Sequence, residues 1–143
     1  MNQPAPADSS LLTYTHVIYA LHALSVLIGV TGPATIVGSF VFGLPSIIAV
    51  IMNYVRRSDV RGSWLDSHFS WQIRTFWFAL LWITLAGIIS APLVLLLGLG
   101  IVTFFIAAAV VGLWVLYRVI RGWLALRDGK PLPGSPCTRA APD

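Results

Sequence analysis

Between Asp8 and Arg56 the chain runs 47 residues without an Asp, Glu, Lys or Arg, and between Arg74 and Arg118 it runs another 43. A helix crosses roughly 30 Å of hydrocarbon with about 20 apolar residues, at 1.5 Å of rise each. Each gap is therefore too long for one crossing and fits two joined by a tight turn. Charged residues make up only 10% of the chain, against roughly 25% in soluble domains. Segments such as PLVLLLGLGIVTFFIAAAVVGLWVL are apolar on every face, whereas a barrel strand alternates apolar and polar residues. Of the two structures that satisfy backbone groups in lipid, helices are the one this pattern allows.

The pattern predicts an all-α integral membrane protein with four transmembrane helices near residues 11–30, 34–54, 73–96 and 101–122, paired as two hairpins. Gly32-Pro33 punctuates the first hairpin. For the second, Ala91-Pro92 and Gly98-Leu99-Gly100 can each turn the chain, and the glycines divide the gap more evenly. Ser39 and Gly43, Ala86 and Ser90, and Ala108 and Gly112 are small residues four apart, on which helix backbones can approach closely. They suit packing within the bundle or contact between protomers. The first ten residues, and DGKPLPGSPCTRAAPD from Asp128 on, have the composition of short disordered tails around a single domain at 11–127.

Orientation follows from the arginines. Arg56, Arg57, Arg61 and Arg74 lie in the centre, and Arg118, Arg121, Arg127, Lys130 and Arg139 lie at the C-terminal end, while neither hairpin turn is positive. Positive loops stay on the cytoplasmic side, so both termini and the central loop are expected there. MNQPAPADSS has no positive n-region, so a cleaved signal peptide is not expected. Under this topology Trp64, Trp71, Trp77, Trp82, Trp114, Trp123 and all four tyrosines fall in cytoplasmic halves. Interfacial anchoring explains such rings; the alternative is a partner that docks on some of them as hot spots. RGSWL at 61–65 and RGWL at 121–124 follow the two hairpins and form a faint repeat, from duplication or from convergent use of interface residues.

The stretch RGSWLDSHFSWQIRTFWF, residues 61–78, concentrates polar chemistry. Leu65, Phe69, Ile73 and Phe76 recur at helical spacing, Ser63 is placed to cap, and Asp66 falls in the first turn. The pattern predicts a cytoplasmic amphipathic helix between helices 2 and 3, lying in the interface with its apolar face in lipid. Arginines beside it add about 1 kcal/mol each of attraction to anionic headgroups. The expected lipid- or partner-binding surface is Arg56, Arg57, Arg61, Trp64, His68, Phe69, Trp71, Gln72, Arg74, Arg118, Arg121 and Trp123. On this view removing the His68 ring leaves stability nearly unchanged.

Catalysis lacks its parts. Asp66 and His68 point about 200° apart on a helix, and His68 and Gln72 share a face with no nucleophile or acid. His16 and His22 lie about 120° apart and roughly 9 Å along one helix, too far to form a haem or metal site by themselves. His16 and His68 could meet near the interface, where a hydrogen-bonded histidine is the ordinary outcome. The single cysteine, Cys137, allows neither an intrachain disulfide nor a cysteine cluster. No enzyme activity, metal, cofactor or nucleic-acid partner is expected. No acid occurs between residues 9 and 58 or between 67 and 127, which leaves a coupled transporter without its intramembrane carboxylate.

NYVRRSDVRGSWLDSHFSWQIRTFW (53–77) and LYRVIRGWLALRDGKP (116–131) resemble a family of uncharacterised small proteobacterial inner-membrane proteins, grouped as a domain of unknown function. That family is distantly similar to a component of the chloroplast inner-envelope protein-import machinery. The likeness covers about residues 12–132 and the chain departs from it in its proline-rich start and in the tail after Pro131. It implies a four-helix, multi-pass protein of the bacterial inner membrane, with no established activity and no functional residue to carry over. The expected function is a small accessory or scaffold subunit, whose cytoplasmic face binds anionic lipid and a larger membrane complex or a second copy. The alternative is an oligomeric channel or translocase component, lined by Thr31, Thr35, Ser39 and Ser46 and by Thr84 and Ser90.

Overall fold

A computed structural model describes residues 8–31, 36–94, 96 and 98–133, with side chains at all of these except 30–31 and 36–42. Four helices account for its regular structure: α1 (Ser9–Thr31), α2 (Ile36–Val55), α3 (Leu65–Val94) and α4 (Leu99–Arg127). Three of them, α1, α3 and α4, are long and apolar enough to cross a membrane, and α2 contributes a shorter apolar stretch, Gly43–Val55. The chain is thus all-helical, with the make-up of a multi-pass membrane protein.

α1 packs chiefly along α2, and α3 along α4. The Tyr14 hydroxyl donates to the Met52 carbonyl at 3.1 Å, and His22 Nδ1 meets Ser46 Oγ at 3.3 Å. The Trp71 indole donates to the Arg118 carbonyl at 3.2 Å. At the far end of this second pair α3 continues through Pro92 to Val94, and α4 starts after Gly98, whose φ of 73° suits glycine. The turn therefore lies at Gly98, with Leu99 and Gly100 already helical. A Cβ on Gly100 would strike the Ser90 carbonyl and the Val94 backbone, so glycine there lets the two helices touch.

No separate interfacial helix stands between α2 and α3. Residues 56–64 form successive turns, closed by backbone bonds such as Asp59 N–H to Arg56 and Ser63 N–H to Val60. The stretch expected to float is the first turns of α3 itself. Leu65, Phe69 and Ile73 are buried in protein, packed in a cluster with Ile18, Tyr19, Ala49, Val60, Val119 and Leu126, and Ser67, His68, Gln72 and Thr75 are buried too. The helical period is as predicted, but protein rather than lipid covers the apolar face, and a narrow strip at Asp66, Ser70 and Arg74 stays open. The Ser63 hydroxyl bonds back to Val60 at 2.7 Å instead of capping α3. A span counted from bilayer thickness needs about 20 residues, whereas α3 has 30 and is about 45 Å long.

The C-terminal boundary also moves. Gly129, at φ 66°, ends α4 in a Schellman motif, with Lys130 N–H to Ala125 at 2.9 Å and Gly129 N–H to Leu126 at 3.1 Å. The chain then folds back over the start of α3, where the Leu132 N–H donates to Ser67 Oγ at 2.9 Å and Leu132 is 2% exposed. The segment 128–132, expected as tail, is part of the domain. At the other end Ser9 and Ser10, expected as tail, already belong to α1; residues 1–7 and 134–143 lie outside the described residues.

The two helix pairs meet unevenly. His22, Thr75 and Arg118 line one small cavity and so share a level. Beyond it α1 has only His22 to Thr31 left, about 14 Å, whereas Thr75 to Val94 and Arg118 to Leu99 each run about 28 Å. Along those lower stretches of α3 and α4, Ser90 and Gly100 are the buried residues among those described. Of the other small residues expected at contacts, Gly43, Ala86, Ala108 and Gly112 are half-buried. A Cβ on Gly43 would meet only Ile47 of its own helix, and the Ser39 side chain lies outside the description.

Candidate functional site: the polar core and the arginine face

The charged end of the molecule closes around one imidazole. His68 is 0% exposed. Its Nε2 lies 2.9 Å from the Lys130 carbonyl, which can only accept, so Nε2 carries the hydrogen and Nδ1 accepts from the Tyr19 hydroxyl at 3.0 Å. Trp64 stands edge-on to the His68 ring at 5.4 Å, and Tyr19 stacks on Trp123 with centroids 6.5 Å apart. The Trp123 indole donates to His16 Nδ1 at 3.0 Å. His16 and His68 are therefore joined through Tyr19 and Trp123, with both described nitrogens of His68 engaged. Among the described residues no three of His, Cys, Asp and Glu gather as metal ligands would.

Gly122 makes this arrangement possible, because a Cβ there would collide with the Tyr19 ring. Gly62, its counterpart in the other RG-containing string, sits in a turn at φ 80° with open space around it. The two strings hold different structural positions, one in a turn and one inside a helix.

One helical turn toward the apolar half lies an arginine face. Arg118 Nε donates to Thr75 Oγ1 at 2.7 Å, and its guanidinium carbon is 3.6 Å from the Trp71 ring centroid and 5.1 Å from that of Trp114. Arg121 stands 5.9 Å from the same Trp71 ring and donates to the Tyr117 hydroxyl at 3.1 Å. Arg74 bonds only to the Ser70 carbonyl of its own helix, at 3.4 Å, and acts on Arg118 through space as Arg121 does. The ion pairs among the described residues are Arg56 with Asp59 and Lys130 with Asp128, both exposed and away from this face.

Between core and arginine face, Tyr19, His22, Trp71, Gln72, Thr75 and Arg118 enclose a cavity of about 10 Å3, the size of one water. His22 Nε2 and both ends of the Gln72 amide are buried without a hydrogen-bond partner, as is the Asn53 amide on α2.

The expected binding surface is thereby divided. Arg56, Arg57, Arg61, Arg74 and Arg121 are exposed, and Trp64, Arg118 and Trp123 are half-buried. His68, Phe69, Trp71 and Gln72 are buried and belong to the core, so lipid or a docking partner does not reach them in this structure. Tyr19, Asn53, Thr75, Gly122 and Leu132 were not foreseen. Their signal in α1 was legible: Thr15, Ile18, Tyr19, His22 and Ser25 are buried at helical spacing, a mostly polar stripe inside an otherwise apolar helix, and in lipid such a stripe faces protein.

No known protein family, curated protein or solved structure matches the chain. The likeness to small proteobacterial inner-membrane proteins thus rests on its two strings alone.

Proposed function

We propose that this is a non-enzymatic protein of the bacterial inner membrane, an accessory or scaffold subunit that offers its cytoplasmic face to anionic lipid and a larger membrane complex. In this reading its helices cross as two hairpins, with both termini and residues 56–64 in the cytoplasm. The observation that carries it is the exposed set Arg56, Arg57, Arg61, Arg74 and Arg121, mounted on a core of neutral hydrogen bonds such as Tyr19 to His68 and His22 to Ser46. A rigid, basic, aromatic platform suits docking better than turnover. The likeness to the import-associated family is compatible with the same role.

The channel alternative draws less support. Ser46 is engaged with His22, Thr84 bonds to Leu80 of its own helix at 2.8 Å, and Ser90 is buried at the α3–α4 contact; the side chains of Thr31, Thr35 and Ser39 lie outside the description. Cross-linking in intact membranes, followed by extraction in mild detergent and mass spectrometry, should recover a membrane protein in fixed proportion. Purification alone together with no cross-linked partner would sink the subunit reading. Reporters after Pro133 or at Ser58 should report cytoplasm, and reporters at Gly32 or Gly98 periplasm. A protected site at Gly32 beside an external Gly98 would reduce the first hairpin to a re-entrant one.

A further inference from the structure

We infer that Arg74, Arg118 and Arg121 form a binding site for the phosphate of an anionic phospholipid, held in the groove between α3 and α4. The inference rests on the reading that this pair spans the membrane, and it narrows a diffuse basic surface to one place and one ligand class.

Three observations converge on it. The first is charge: the guanidiniums of Arg118 and Arg121 stand over one indole ring, Arg74 acts on Arg118 through space, and no ion pair among the described residues reaches any of the three. Asp59 and Asp128 are taken by Arg56 and Lys130, while Asp66 lies two turns above Arg74 on α3. Arg118 is half-buried, and like charges grouped beside apolar surface favour an anion between them. The second is preorganisation: Thr75 and Trp71 fix Arg118 through Nε and the ring face, and no hydrogen bond to a described residue uses the terminal nitrogens of Arg74 or Arg118. Those nitrogens form the fork that pairs bidentately with phosphate oxygens.

The third is depth, which selects the source of the phosphate. Arg74 stands about 30 Å along α3 from Val94, and Arg118 about 28 Å along α4 from Leu99. That distance is the thickness of the hydrocarbon layer. With the uncharged turn at one boundary, the arginines stand at the other, level with lipid phosphates. Below them the outward residues are apolar and exposed, Trp77, Phe78, Leu113 and Val110 among them, and acyl chains fit there while a free phosphate ion has nothing to contact. Basic pockets between spanning helices on the cytoplasmic side are a recurrent form of headgroup recognition.

The test is lipid retention by the purified full chain in mild detergent, read by native mass spectrometry with phosphatidylglycerol and phosphatidylcholine supplied equally. One phosphatidylglycerol should be retained in preference, and R118Q should lower its retention about tenfold, as expected for one charge-assisted fork. R74Q/R121Q should do the same; the hydrogen bonds of those side chains stay within their own helices and Arg121 reaches Trp71 only at 5.9 Å, so this variant stays informative if R118Q disturbs packing. R56Q/R57Q, on the exposed loop, should leave retention unchanged. Equal retention of the two lipids would overturn the site, as would an equal loss in R56Q/R57Q, which marks diffuse attraction. Displacement of the lipid by millimolar inorganic phosphate would assign the groove to a free oxyanion and overturn the lipid source. Displacement by an acidic peptide would assign it to a protein partner. Preference for phosphatidylglycerol with no captured protein leaves the site standing and removes the subunit reading; a captured protein with no lipid preference does the reverse.

Discussion

The charged end of the bundle and the lower half of α3 and α4 are built from the same two helices and follow opposite rules. At the charged end α1, α2, α3, α4 and the returning segment 128–132 all meet, so every face of α3 from Leu65 to Thr75 has protein against it except at Asp66, Ser70 and Arg74. Polar side chains there are held across the bundle: His68 by the Tyr19 hydroxyl and the Lys130 carbonyl, Thr75 by Arg118. Below Arg118 α3 and α4 run on about twice as far as α1, the outward residues are uncharged, and one close contact at Gly100 fixes the turn. Lipid supplies no hydrophobic drive between helices. Specific structure therefore concentrates where hydrogen bonds and tight shapes are available, and the lower half is defined mainly by length and apolarity.

The comparison breaks most readily at the charged end. His68→Ala should lower stability by about 3 kcal/mol, because it opens a cavity and leaves the buried Tyr19 hydroxyl and Lys130 carbonyl without partners. Thermal unfolding in detergent measures it. This reverses the expectation for a histidine on a floating helix; a loss below about 0.5 kcal/mol, the level of an ordinary surface change, would restore the float. Gly122→Leu acts on the same junction from α4. Its side chain must displace Tyr19 from His68, and a loss of about 2–3 kcal/mol is expected from overpacking. Intrinsic tryptophan fluorescence should change with it, because Tyr19 stacks on Trp123.

Why the sequence told the helices but not this junction can be argued from a few residues. The uncharged gaps ended by Arg56, Arg74 and Arg118 demand membrane helices whatever the packing, so element number and ends were legible to within a few residues for α1 and α2. Leu65, Phe69 and Ile73 show only that one face of α3 is buried; lipid and protein leave the same apolar period. The distinguishing feature is the polar residues around that face. A helix floating on a bilayer presents Lys and Arg to water, but here the positions beside and behind the apolar face carry Ser67, His68 and Thr75, neutral groups that can be buried once hydrogen-bonded, with Arg74 the only cation. Leu132 could not be distinguished from its proline-rich surroundings by composition, since its burial depends on Gly129 turning the chain back. The arginine face was legible residue by residue, but its assembly on Trp71 depends on a register between α3 and α4 that no single string contains.

Smaller effects sharpen the boundary. Truncation after Pro133 should leave stability within about 0.5 kcal/mol of the full chain, whereas truncation after Arg127 should lower it by about 2 kcal/mol, through loss of the Leu132 burial and of the bonds from Ser67 and His68 to the returning segment. Equal behaviour of the two truncations would mean that the segment contributes nothing to the charged end.

The smallest effect should come from the lower half, and its sign carries the argument. Gly87 lies on α3 between the arginine face and the turn, and a Cβ there would meet Phe104 of α4 at 3.9 Å, an ordinary van der Waals contact. Gly87→Ala therefore adds a packed methyl and removes a flexible residue from a helix interior, which stabilises by up to about 1 kcal/mol in soluble helices. In detergent the unfolded reference remains largely helical, so a gain of about 0.5 kcal/mol is the expected result. The substitution matches Gly122→Leu in removing an interior glycine near an aromatic ring and differs in the space available. A loss at Gly87 comparable to that at Gly122 would show that the lower half is as tightly specified as the charged end, and the contrast between the two regions would fail.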